Sequence, residues 1–410
     1  MLRFVGIGLI LFASRPALAD TFTYIDDDGN TATMEARLAG EGQGVFALEL
    51  PSGELKLITQ GAVRDRAPSD DPAPETPDAA LERMQQRFGE EKFRGLVQAP
   101  YAIGLVLAEP LDKQHEARAA AFLKKAARFF KTVEGVFLDF MKEVKVRTVK
   151  PRYPLPILVF ETDDAFEEYT HDDTEGRGLS AGNIAGYYNL LSNQLVIRMS
   201  ECHTFETPLH EAIHMQAYNR GVLQRLAPVP AWFNEGLATG FEANGERINI
   251  GPFKVSTRYS RQAMQARNVN WDDVVVDDTA FRGDVLAGEA YGHAWSIHWF
   301  LASKYKKEYI RYLERLGQRR PLEKDDADQR RGEFEQVFGK SPSKLQKEFL
   351  PALEIAARKQ KINLLESNAA GYLATTSNLG EVEMTAVRDG TKGGPLEVEG
   401  RIRNLSTIRP

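Results

Sequence analysis

Over residues 115–144 apolar side chains return every three or four positions, at Ala119, Phe122, Leu123, Ala126, Phe129, Phe130, Val133, Phe137, Phe140 and Met141. That is one stripe of a long helix, with the intervening Lys and Arg residues on its solvated side. Residues 101–107 and 154–160 are short apolar runs and read as strands, the second one buried. Residues 163–170 read as a short helix. Residues 185–189 and 193–198 read as a hairpin joined through Leu190, Leu191 and Ser192. Helical periodicity resumes near 256–267, 289–305, 308–316, 331–338 and 341–359, and the Gly-rich tail beyond 363 carries possible strands at 381–387 and 395–402.

At the other end, residues 21–25 and 45–50 are β-rich, and residues 54–58 alternate polar and apolar. Turn residues separate them at Asp26–Asn30, Gly42–Gly44 and Pro51–Gly53, so residues 20–66 predict a five-stranded, SH3-like module. Residues 64–78 are rich in Pro, Asp and Ala without periodicity and predict a flexible linker. Runs of strands followed by runs of helices make the whole an α+β chain.

Composition adds exclusions. A short basic start, an apolar run over residues 4–13 and Ala17-Leu18-Ala19 before Asp20 predict a signal peptide over residues 1–19, too short to span a bilayer. The expected mature protein is exported, periplasmic or extracellular, with no membrane anchor. The formal net charge of -6 becomes -8 once Arg3 and Arg15 are removed with that segment, which argues against nucleic acid as partner. Cys202 is the single cysteine, so no internal disulfide is available, and it reads as a small buried hydrophobe.

The chemistry concentrates at His210-Glu211-Ala212-Ile213-His214 and at Trp232-Phe233-Asn234-Glu235-Gly236-Leu237-Ala238. Positions four apart share one helical face, so His210 and His214 can grip one metal ion while Glu211 stays free to hold a proton. Glu235 follows after 20 intervening residues, on a second predicted helix, and can supply the third ligand. Two imidazoles and one carboxylate leave a fourth position open for water, as a catalytic zinc site requires. Thr204 or Thr207 is the expected cap of the first helix, and Pro208 falls within its first turn. A third histidine ligand of the metzincin kind is excluded, because Ala217 and Arg220 occupy the positions where that pattern has Gly and His.

At these residues the chain resembles the gluzincin zinc peptidases, and more narrowly a bacterial, largely uncharacterised peptidase-MA-like family of secreted proteins. In that family a strand, a long helix and further strands precede the zinc helix, and a helix opening Tyr-x-x-Ala-Trp follows, here Tyr291-Gly292-His293-Ala294-Trp295. The resemblance implies a zincin-like peptidase domain over residues 98–363. A linker and connecting helix would precede it at 67–97, and a C-terminal extension would follow at 364–410. It also implies that a strand of the predicted hairpin forms the edge of the cleft and could pair with an extended substrate; a hairpin fully paired within its own sheet is the alternative. The Gly-x-Met-Glu-Asn motif of the related aminopeptidases is absent, so exopeptidase activity is not implied.

The expected cofactor is one Zn²⁺ per chain, held by His210, His214 and Glu235. Glu211 would take a proton from water and deliver it to the leaving amine. Tyr291 is the first candidate for stabilising the oxyanion and His293 the second; His298, seven residues after Tyr291, shares its helical face. His115, His171 and His203 read as surface or structural residues. The leading expectation is a zinc metallopeptidase acting on peptide or protein substrates. A zinc amidase acting on cell-wall peptides and a zinc-containing scaffold without catalysis stay open, although a scaffold has no need of Glu211.

Overall fold

The computed structural model describes residues 19–174, 184–202, 206–242, 248, 251–265, 269–281, 287–364, 375–377, 380–388 and 397–404. Apart from Ala19, the expected signal peptide lies outside these residues, as do Thr204 and His203. Among the described residues no helix is long and apolar enough to cross a membrane.

The N-terminal strands are β1 (Ala19–Ile25), β2 (Thr31–Gly42), β3 (Val45–Glu49), β4 (Leu55–Thr59) and β5 (Val63–Ser69). They form one antiparallel sheet in the order β4-β3-β2-β1-β5, with a one-turn 3-10 helix at Gln60–Ala62 redirecting the chain so that β5 returns to β1. Strand alternation sends Phe22, Tyr24, Ala36, Leu48 and Ile58 into a small core of their own.

The segment expected to be a flexible linker is held down instead. β5 runs to Ser69, and the Asp71 carboxylate then bridges Arg37 at 3.0 Å and Arg152 at 2.8 Å. The Glu75 amide donates to the Pro51 carbonyl at 2.8 Å, and its carboxylate takes the Arg83 guanidinium at 3.0 Å. Asp71 thus meets arginines from both sides, a pairing between distant segments that local composition does not encode.

The second sheet has the order β6-β7-β8-β10-β9. It is built after α1 (Pro77–Phe88) from β6 (Phe93–Gln98), β7 (Tyr101–Val106), α2 (Lys113–Glu143), β8 (Leu155–Phe160), α3 (Asp163–Asp173), β9 (Gly186–Asn189) and β10 (Gln194–Arg198). β7, β8 and β10 run parallel, while β6 and β9 close the edges antiparallel. Parallel neighbours need crossovers, which α2 and α3 supply. The three central strands are buried along their whole length because both faces are covered. Ile103, Leu105, Ile157, Val159, Leu195 and Ile197 face the larger core with Phe130, Phe137 and Ile213; Ala102, Leu158, Phe160, Val196 and Tyr187 face the smaller one with Met84 and Phe166. The α2 stripe enters the larger core as its periodicity predicts, and the Asp112 carboxylate caps the helix by accepting the Gln114 and His115 amides. β6 was not expected; its burial is partial and its apolar pattern weak.

A helical half follows: α4 (Glu206–Asn219), α5 (Ala231–Thr239), α6 (Thr257–Gln265), α7 (Trp271–Val276), α8 (Ala287–Lys304), α9 (Lys306–Gly317), α10 (Ala327–Phe338) and α11 (Pro342–Lys359). Thr207 lies inside α4, and its hydroxyl meets the Glu201 carboxylate at 3.3 Å, so it is not the expected cap. At the C-terminal end β11 (Thr375–Ser377), β12 (Gly380–Arg388) and β13 (Glu397–Asn404) form a three-stranded antiparallel sheet.

The N-terminal sheet is docked on the second one. The Arg225 guanidinium reaches Glu49 at 2.8 Å, the Gly53 carbonyl at 2.7 Å and the Leu190 carbonyl at 3.3 Å. Tyr153 donates its hydroxyl to Glu49 at 2.9 Å, and the Leu55 amide donates to the Leu191 carbonyl at 2.8 Å. Gly53 holds a positive φ of 87°, and a Cβ there would stand 2.8 Å from the Tyr153 Cβ, so the turn needs glycine twice over. The small module therefore abuts the β9–β10 hairpin directly.

Candidate metal centre

α4 lies against the larger core, burying Leu209, Ala212, Ile213 and Met215 and turning His210, Glu211 and His214 the other way. α5 begins at Pro230 without a side-chain cap of its own; the Ala231 amide is met by Asp278 at 2.8 Å. Trp232 and Phe233 anchor α5 among aromatic residues, Trp232 stacked on Tyr312 and Phe233 on Tyr309. Between these anchors and α8 the helix presents Glu235 to the two histidines.

One ligand atom from each of His210, His214 and Glu235 lies within 4.8 Å of the others. His210 Nε2 stands 3.1 Å from His214 Nε2 and 2.9 Å from Glu235 Oε2, and His214 Nε2 stands 3.5 Å from that same oxygen. Donors about 2.0–2.1 Å from a tetrahedral zinc are separated from one another by about 3.3 Å. The triangle thus has the edge lengths of a three-ligand tetrahedral site, and its donor set of two imidazoles and a carboxylate suits zinc.

The surrounding groups fix the ligands. Glu242 Oε1 accepts from His210 Nδ1 at 2.7 Å, which turns Nε2 toward the centre. Glu242 is held in turn by the Tyr259 hydroxyl, donated to its Oε2 at 2.6 Å. Asn234 Nδ2 donates to Glu235 Oε1 at 3.2 Å, leaving Oε2 for the histidines. Burial opposes a charge on His210, but the hydrogen-bonded carboxylates of Glu235 and Glu242 outweigh it and raise its pKa well above the usual imidazole range. Burial likewise opposes charge on Glu235, yet His214 and His210 hold its carboxyl well below the usual range. Two carboxylates around these imidazoles make the centre a trap for positive charge.

Glu211 stands beside the triangle without belonging to it. Its Oε2 accepts the Tyr188 backbone amide at 2.8 Å, so the edge strand β9 orients the carboxylate. Burial raises its pKa, against the lowering pull of the two histidines. The Tyr291 ring sits 5.6 Å from that of His210, within electrostatic reach of the Glu235 carboxylate. The Glu235 charge, burial and the Glu211 charge all push its pKa up, so it is a phenol that donates.

The centre opens into a cleft of about 540 Å³ whose lining includes Tyr188, Glu211, His214, Tyr218, Glu235 and Tyr291. His293 does not line it. Two residues along a helix is a rotation of about 200°, so His293 is buried on a face of α8 turned away from Tyr291. His298 shares the Tyr291 face but lies about two turns further on, packed on Phe233 with its Nε2 2.8 Å from the Tyr309 hydroxyl. Burial lowers its pKa to about 3, so it is a neutral core histidine. His115 Nδ1 lies 2.7 Å from the Asp112 that caps α2, and Cys202 is buried with its thiol pKa pushed up by that burial.

Glu242, Tyr259 and the Tyr188 amide were not anticipated. A main-chain group leaves no trace in residue types, and Tyr259 comes from a separate helix. Glu242 did leave one, as the acid that closes an uncharged run beginning at Gly236. Glu242→Gln is expected to weaken metal binding about 10–100-fold, by the usual cost of losing a histidine's carboxylate partner, with the fold retained. Competition against a chelator of known affinity measures it; unchanged affinity would remove Glu242 from the centre.

A family described as a protein of unknown function (DUF1570) matches residues 204–323, a stretch that holds all three candidate ligands with Glu211, Glu242 and Tyr291. No curated protein matches the chain.

Proposed function

We propose that this protein is a zinc-dependent metallopeptidase of the gluzincin type, exported by its N-terminal segment. The observation that carries the reading is the convergence of His210, His214 and Glu235 with Glu211 adjacent but outside the ligand set. A structural zinc site has four closed ligands and no use for a poised base, whereas a hydrolytic one needs both the open position and the base. The sheet with α4 and α5 supports a zincin-like fold, and the order β4-β3-β2-β1-β5 with its 3-10 turn supports the SH3-like reading of the module.

A zinc ion in this centre supplies Lewis acidity, lowering the pKa of water toward about 7 and polarising a carbonyl. The chain's own residues do the rest. Glu211, its Oε2 anchored on the Tyr188 amide, takes the proton from the attacking water and returns it to the leaving amine. Tyr291, kept protonated, donates to the oxyanion that develops on the scissile carbonyl. β9 is an edge strand, and Gly186 through Asn189 line the cleft, so an extended peptide can add to it through main-chain hydrogen bonds. That mode binds backbone without reading most side chains and suits an endopeptidase.

The test pairs metal analysis with hydrolysis. Purified protein is expected to carry one zinc per chain and to cleave casein, with the activity lost to a chelator and restored by zinc. Glu235→Ala is expected to lose the metal while staying folded. Properly folded wild type without metal affinity would overturn the proposal.

A further inference from the structure

The cleft has a second acidic feature that the hydrolytic centre does not use. Asp173, the last residue of α3, lines it from the side of the sheet opposite α4. Tyr187 and Asn189 of β9 point to that side, while the intervening Tyr188 turns its ring to the α4 side, where it stacks near Tyr218 at 6.1 Å. Asp173 Oδ2 accepts the Tyr187 hydroxyl at 3.0 Å and Asn189 Nδ2 at 2.8 Å. Asn189 is itself fixed, since its Oδ1 accepts the Leu191 amide at 2.8 Å. The carboxylate is therefore clamped at the β9 edge by two neutral donors, and among the described residues no lysine or arginine pairs with it. No described lysine or arginine lines the cleft either. Among the described residues that line the cleft, Asp173 is the one acidic side chain besides Glu211 and Glu235.

A peptide added along β9 sends successive side chains to opposite sides of the sheet. One set turns toward α4, and the alternate set passes the end of α3. We propose that Asp173 is a specificity-determining residue, selecting substrates that carry a lysine or arginine side chain on the α3 side of the bound strand. The proposal rests on the peptidase reading of the same cleft. It is separable from that reading because Asp173 makes no contact with a candidate ligand.

The experiment uses zinc-loaded full-length protein and sets of matched fluorogenic peptides identical except for Lys, Leu or Glu at each position flanking the scissile bond. Hydrolysis is followed by kcat/KM, and binding of the same peptides by anisotropy. Wild type is expected to favour Lys over Glu at one or more positions by about tenfold, the preference weakening at high salt. Asp173→Asn, which keeps the size of the side chain and an acceptor oxygen for Tyr187 and Asn189, is expected to bring the Lys-to-Glu ratio of kcat/KM close to one. Hydrolysis without charge preference, or a preference that survives Asp173→Asn, overturns the inference and leaves the peptidase reading standing. Preferential binding of the Lys peptide that is lost in Asp173→Asn, with no hydrolysis of any peptide, upholds the inference and overturns the peptidase reading. Neither binding nor hydrolysis overturns both.

Discussion

Glu211→Gln is expected to keep one metal ion per chain and to lower turnover about 10²–10⁴-fold, with KM for a peptide substrate nearly unchanged. Glutamine preserves shape, and its amide oxygen can still accept the Tyr188 N–H that holds Glu211 Oε2 at 2.8 Å. What it removes is the basic oxygen that would receive the proton from water. Because Glu211 stands outside the group formed by His210, His214 and Glu235, the metal has no reason to leave. Metal analysis and steady-state kinetics on the same preparation decide it. Loss of metal in parallel with activity would make Glu211 a ligand rather than a base, and full activity would move the base elsewhere in the cleft.

The parts of this centre that were legible in the chain are those set by local geometry. His210 and His214 four apart need only a helix to share a face, and the apolar residues between and beyond them announce that helix. Glu235 was legible because its neighbours Trp232, Phe233 and Leu237 mark a second buried helix at a distance a turn and a loop can span. The α2 stripe, the β9–β10 hairpin and α8 emerged within a few residues of their expected bounds for the same reason. Long-range contacts were not legible. Asp71 reads as linker until Arg37 and Arg152 arrive from elsewhere, and nothing near Arg225 in sequence points to Glu49 or the Gly53 carbonyl. His293 stayed eligible as a second candidate behind Tyr291 in the Tyr-x-x-Ala-Trp helix, because spacing alone does not say which face of α8 meets α4 and α5.

Those long-range contacts bear on the cleft itself. Leu190 and Leu191 line it, and they are also the hairpin residues that receive Arg225 and the Leu55 amide of the N-terminal module. The module thus braces the outer end of the β9–β10 hairpin, while Tyr188 on the same hairpin holds Glu211. A small domain that never reaches the candidate ligands in this way shares the β9–β10 hairpin with the Glu211 carboxylate.

Gly236→Ala is expected to destabilise the fold by about 1–3 kcal/mol and, beyond that, to loosen the metal. A glycine inside a helix costs about 1 kcal/mol relative to alanine, so an exposed Gly236 would make the substitution stabilising. This glycine is buried, and it lies at the crossing of α5 and α8. A Cβ placed on it would stand 2.6 Å from the Ala294 carbonyl oxygen and 2.8 Å from the His298 Cβ. The first of these is backbone on a packed helix, which cannot swing aside as a side-chain tip could. The two helices must therefore separate. Glu235 is the preceding residue on α5 and Tyr291 projects from α8, so separation displaces a candidate ligand and the proposed oxyanion donor together. Metal affinity is expected to fall about 100-fold or more, because moving a whole ligand exceeds the loss of a partner such as Glu242. Urea unfolding of the metal-free protein reads the packing cost, and chelator competition reads the metal. A stabilised Gly236→Ala with unchanged zinc affinity would mean that α5 and α8 have room between them and that Glu235 is positioned by something other than their contact.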